Sequence, residues 1–298
     1  MAAARLWTGA FFLLVALSFP SDVGAQVPCG QCFPFERLPP ETRARAEAML
    51  LRALDREALY TIVGGLKPMS SGFASFRFPV REPRADSATG GRKREQSLAE
   101  IDEARRILAL WRCDGELYAD VHHFARVYNG ERFMEAVVFY LPSLRRVLQE
   151  YAWFFTRFGL TPHAHPMEVL MAVEYEQSSA RFGGYGILFG YPFYAVDFFV
   201  RAADEENWTG SFVARDFYSV PTFERPTNSF VWAVPKGHAE NETDRLIKRR
   251  AEEMLAEYRR RRARYIGPDK PGVVALLRDW FSDGRGTCSP RRVASGAR

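Results

Sequence analysis

Four of the five histidines come as two close pairs, His122-His123 and His163-x-His165. Residues two apart on a strand share a face, so an H-x-H spacing presents two imidazoles to one metal ion. Pro162 and Pro166 act against that geometry. Polyproline-like chain turns by about 120° per residue and splays positions i and i+2. His165 and Glu168 also form an H-x-x-E at a predicted helix start, where Glu168 alone would complement the positive helix end.

The better-defined grouping lies on a hairpin. Two strand-like runs, 117–128 and 131–140, flank Asn129-Gly130, a dipeptide suited to a two-residue turn that needs positive φ at both positions. That turn predicts Tyr128 opposite Glu131, Phe124 opposite Glu135 and His122 opposite Val137. Asp120, His122 and Glu135 then project from one face, with Glu135 diagonal to His122. Such a set suits a divalent ion, with Asp120, His122, His163 and His165 as ligands and Glu135 as the catalytic carboxylate, or metal-free proton transfer through His122. The competing expectation is a solvated sheet face carrying scattered polar groups. The opposite face, with Val121, Ala136 and Val138, is the more apolar one and is expected to pack on helices.

The four cysteines are Cys29, Cys32, Cys113 and Cys288. Cys29-Gly30-Gln31-Cys32 has redox spacing but lacks the strand-then-helix context that lowers a thiol pKa, and Phe33-Pro34-Phe35 follows it. A metal reading needs a second pair, and Cys113 and Cys288 stand alone. Structural disulfides are the expectation, with three connectivities open.

Other signals are weaker. Arg259-Arg260-Arg261-Arg262 is the densest basic run, on a predicted helix over 242–265 with Glu252, Glu253 and Glu257 interleaved. Pairing with those glutamates competes with attraction to an anionic envelope polymer or lipid surface. His238 precedes an acidic helix entry and is not a ligand candidate. No G-x-S-x-G, P-loop, H-E-x-x-H or EF-hand pattern occurs. The glycines at 183, 184, 186 and 190 miss the dinucleotide spacing, because position 189 is Phe.

These groups must be positioned by mixed elements. Helices are predicted over 41–63, 97–113, 142–158, 167–180, 192–203 and 272–282, besides 242–265. Strands are predicted over 73–80, around the 183–190 glycines, and as a second hairpin, 211–220 with 228–234. Residues 81–95 read as a mobile loop and 283–298 as a flexible tail. Clustered hairpins and helices predict an α+β fold with a mostly antiparallel sheet, several helices and a long C-terminal helix.

Residues 1–25 read as a secretory signal: Arg5, an apolar run over 10–19, and Val23-Gly24-Ala25 before the expected cleavage. Residues 26–298 would then form one exported domain in the periplasm or outside, with no membrane-spanning stretch in the mature chain. Only 5 of the 41 basic residues are lysine, an arginine bias typical of a GC-rich bacterial genome. The mild net charge of +5 argues against a nucleic-acid partner. Two functional expectations remain: an exported binding or envelope-associated domain, and a metal-dependent hydrolase-like enzyme using the hairpin carboxylates and imidazoles.

Overall fold

The computed structural model of this chain describes residues 27–80 and 88–290. The expected signal segment therefore lies outside the described residues. β1 (Val27–Pro28) opens the described chain, followed by α1 (Pro40–Asp55) and α2 (Leu59–Ile62). Then come β2 (Met69–Pro79), α3 (Ala88–Leu108), β3 (Leu117–Tyr128) and β4 (Glu131–Tyr140). Five helices follow: α4 (Leu141–Glu150), α5 (Ala152–Phe155), α6 (Pro166–Glu174), α7 (Ser178–Leu188) and α8 (Phe193–Thr209). The chain closes with β5 (Arg215–Ser219), β6 (Val231–Pro235), α9 (Glu242–Tyr265), α10 (Val273–Phe281) and β7 (Thr287–Cys288).

The fold is α+β with antiparallel sheets. Its centre is a three-stranded sheet in the order β2-β4-β3, built on the predicted hairpin. Asn129 and Gly130 take φ of 50° and 78°, the positive values that a tight I′ turn demands. β4 is the middle strand, and its side chains alternate between two apolar clusters. Ala136 and Val138 join one with Ala119, Val121 and Ile107, while Val137 and Phe139 join the other with Leu148, Val169 and Leu170. Both faces are thus covered by helices, and the expected solvated face does not exist around His122, which is 1% exposed.

Several elements differ from the sequence expectation because tertiary contacts override local preference. The helix predicted over 41–63 breaks at Arg56, which is extended and pairs with Glu224 (2.5 and 3.0 Å). The helix predicted over 167–180 breaks between Glu174 and Ser178. The strand expected among the 183–190 glycines is α7 instead. A Cβ on Gly184 would stand 2.6 Å from Val173, and one on Gly186 would stand 2.7 Å from Val196. These glycines let α7 pack against α6 and α8 at backbone distance, helix on helix.

Two segments expected to be mobile are structured where described. α3 begins at Ala88, so the loop expected over 81–95 is helical from 88 onward, and 81–87 lie outside the described residues. Ser97, where the predicted helix over 97–113 begins, is interior to α3, and its hydroxyl donates to Lys93 O (3.0 Å). The expected tail from 283 is pinned up to Ser289, whose N–H donates to Phe281 O (3.1 Å). β7 there pairs with β1.

The cysteines pair as Cys29–Cys288 and Cys32–Cys113. The C-x-x-C is therefore not a local loop. It staples the N-terminal segment to two distant points, the strand after α10 and the chain after α3. No helix among the described residues is long and apolar enough to cross a membrane. The long helix α9 spans its expected limits, capped by Asn241 and Asp244, each side chain accepting the other's backbone N–H (3.0 and 3.1 Å).

Candidate functional site

The site grows from an irregularity in β3. Val127 pairs with Arg132, but the next pair is His123 with Met134, so residues 124–126 bulge opposite Phe133 alone. This shift places His122 directly opposite Glu135, where regular pairing had placed it opposite Val137.

A bulge frees backbone groups that need partners when covered. The Ala125 N–H donates to Glu174 Oε1 (2.7 Å), and the carbonyls of Phe124 and Ala125 accept from Arg132 (2.6 and 3.0 Å). Glu174 is the last residue of α6 and its side chain is wholly buried. Its other oxygen accepts from Arg181 Nε and Nη2 (3.0 and 2.8 Å) and from the Tyr185 hydroxyl (2.6 Å), both on α7. Burial pushes the Glu174 carboxyl up, but the bonds from Tyr185, Ala125 and Arg181 outweigh it and hold it below the usual carboxylate range.

His122 closes the chain, with Nε2 3.0 Å from the Tyr185 oxygen. The single Tyr185 proton is committed to Glu174, so the Tyr185 oxygen accepts from His122 Nε2–H. His122 is then a neutral Nε2–H tautomer whose Nδ1 is an acceptor, and that buried atom has no hydrogen-bond partner among the described residues. Burial pushes the His122 pKa down to about 4; Glu174 opposes the shift, while His123 and Arg181 add to it. Burial raises the Tyr185 hydroxyl, as does its bond to Glu174. Glu135 is also raised by burial, against a hydrogen bond with Ser71.

A cavity of about 310 Å³ opens between this face of the sheet and α7. Met69, Val137 and Leu170 supply apolar wall, and Phe124, Phe182 and Phe189 supply aromatic wall. The polar lining is Ser71, His122, Glu135, Arg181 and Tyr185. A second cavity of about 270 Å³ shares Phe124 and Arg181 with the first and continues toward the hairpin end, past Arg77, Arg126 and Glu131.

The predicted ligand set is only partly gathered. His122 and Glu135 meet at this cavity. Asp120 faces Val137, its carboxylate accepting from its neighbour's N–H at Val121 (2.7 Å) and from Tyr118 OH (3.0 Å). The 161–166 connector does reach the hairpin, because the His165 and Tyr118 rings meet in a T-shaped contact at 4.9 Å between centroids. His165 Nδ1, however, is occupied as the cap of α6, accepting from Met167 N (3.3 Å). His163 is exposed, with its backbone N–H directed to Thr161. Among the described residues no group of three or more His, Cys, Asp or Glu is placed to hold a metal ion. The expected set of Asp120, His122, His163 and His165 with Glu135 is therefore not assembled.

Glu174, Arg181 and Tyr185 escaped the sequence reading. One signal was available: Glu174 follows an apolar helical run, Val169-Leu170-Met171-Ala172-Val173, at a position that faces inward. The bulge that recruits it has no local signature. The basic run is mostly consumed internally: Arg260 and Arg261 pair with Glu257 (2.9 and 2.6 Å), and Arg262 grips Asp55 (2.7 and 3.0 Å).

No family model, no curated protein and no solved structure matches this chain.

Proposed function

We propose that this is an exported, disulfide-stapled binding domain that holds a small, largely apolar molecule in the cavity between β2-β4-β3 and α7. The observation that carries the reading is the cavity itself. It has the size, apolar majority and few convergent polar groups of a ligand pocket, and it is lined by His122, whose buried Nδ1 has no partner among the described residues. Export, with signal removal after Ala25, is supported by the two disulfides, which persist in oxidising compartments.

Binding is favoured over catalysis by magnitude. A general base works best with a pKa near the working pH, and His122 at about 4 lies well below neutrality. Its Tyr185 and Glu174 partners hold the ring in one tautomer, as a fixed polar element of the cavity wall. The metal-dependent hydrolase reading lacks its ligand set and loses ground for that reason.

The test is a methyl chemical-shift titration of the disulfide-bonded protein with cresol and indole. Saturable shifts centred on Met69, Val137 and Leu170 are expected. Ser71→Phe, which adds bulk at the partly exposed edge of the cavity, is expected to abolish them while the melting temperature is retained. Shifts scattered over the surface, or unaffected by Ser71→Phe, would sink the reading.

A further inference from the structure

The lining that the two cavities share, Phe124 and Arg181, sharpens what the ligand must be, on the premise that the binding reading above holds. The inner cavity has no spare positive charge. Its one cation, Arg181, is committed to Glu174 through two hydrogen bonds, and its carboxyl group, Glu135, disfavours an anion beside it. The outer cavity has the opposite balance. Arg77, Arg126 and Arg181 line it against one acid, Glu131, which is itself paired with Lys93 (2.9 Å) and Arg77 (3.7 Å). Among the described residues Arg126 keeps only a long hydrogen bond to Tyr128 OH (3.5 Å). Its charge is the one left over at the mouth among the described residues, and Phe124 and Arg181 line both compartments.

We propose that the two cavities form a single site for a small amphipathic carboxylate, with its apolar body in the inner cavity and its carboxylate on Arg126 at the outer one. An arginine fork suits a planar carboxylate in two-point contact. The reverse orientation would set the anion against Glu135 and leave an apolar tail among arginines. The body is aryl or acyl, since both fit an aromatic and aliphatic wall.

Isothermal titration of the full disulfide-bonded chain with phenylbutyrate, octanoate and uncharged phenylbutanol tests this. At low salt the better carboxylate should bind about two- to five-fold more tightly than the alcohol, the gain an exposed ion pair supplies. The preference should shrink as salt is raised. Arg126→Ala should erase it, bringing carboxylate affinity down to that of the alcohol. Tighter binding of phenylbutyrate assigns an aromatic body and tighter binding of octanoate an acyl one; either outcome supports the site. Equal affinity for alcohol and carboxylate in the unaltered protein overturns the anion assignment and leaves the binding reading standing. Binding of none of the three at millimolar concentration overturns the binding reading and this inference with it.

Discussion

The Tyr185 hydroxyl stands 3.0 Å from His122 Nε2, joining an imidazole on β3 to a helix that follows it by more than fifty residues. Tyr185 also donates to Glu174 (2.6 Å), so one hydroxyl couples a buried carboxylate to a buried ring. Tyr185→Phe leaves His122 Nε2–H without an acceptor and removes one donor from Glu174. The expected cost is about 1–3 kcal/mol in urea unfolding. The same variant should move the His122 nitrogen resonances away from a pure Nε2–H tautomer. A spectrum unchanged by the substitution would contradict the proton assignment.

Stability should fall in acid through His122, beginning above the range in which ordinary carboxylates titrate. The native ring is held at about 4 against a free value of 6.5, so the unfolded chain takes up the proton first as pH drops. Stability is therefore full above the free value and is lost between about 6.5 and 4, by roughly 3 kcal/mol. Glu174, held low by its donors, adds a further loss only below the ordinary carboxylate range. Urea unfolding across that pH interval checks this: His122→Gln should flatten the upper part of the curve and leave the lower part steep.

Close helix contact should make Gly184 intolerant of a single methyl. Gly184→Ala puts a Cβ 2.6 Å from Val173 and is expected to cost about 1–3 kcal/mol through overpacking. Paired with Val173→Ala, part of that loss should return, giving a non-additive double-mutant cycle in thermal unfolding.

The disulfides should be separable by their loops. Cys29–Cys288 spans 259 residues and Cys32–Cys113 spans 81. Replacing either pair with serine is expected to cost about 2–5 kcal/mol, since each bond constrains a long loop in the unfolded chain. Non-reducing peptide mapping should recover a 29–288 link and a 32–113 link. A peptide joining 29 to 32 would contradict this connectivity.

Local chemistry alone determined much of this molecule. Asn129-Gly130 closes a hairpin because few other dipeptides accept two positive φ values, and the 242–265 helix runs from its Asn241 cap because its stripe and its acidic entry agree. His122 and Glu135 were legible as neighbours for the same reason, since strand alternation sets which side chains share a face. Tertiary structure decided the rest. The bulge at 124–126 exists where Glu174, a residue 49 positions along, accepts the freed Ala125 N–H, and no window of sequence around the hairpin contains that partner. The same holds for the break at Arg56, which answers to Glu224, and for the cysteines, whose partners lie 81 and 259 residues away. Periodicity reports which side of an element is apolar. It does not report which distant carboxylate, arginine or thiol will cover that side, and here those distant groups make the site.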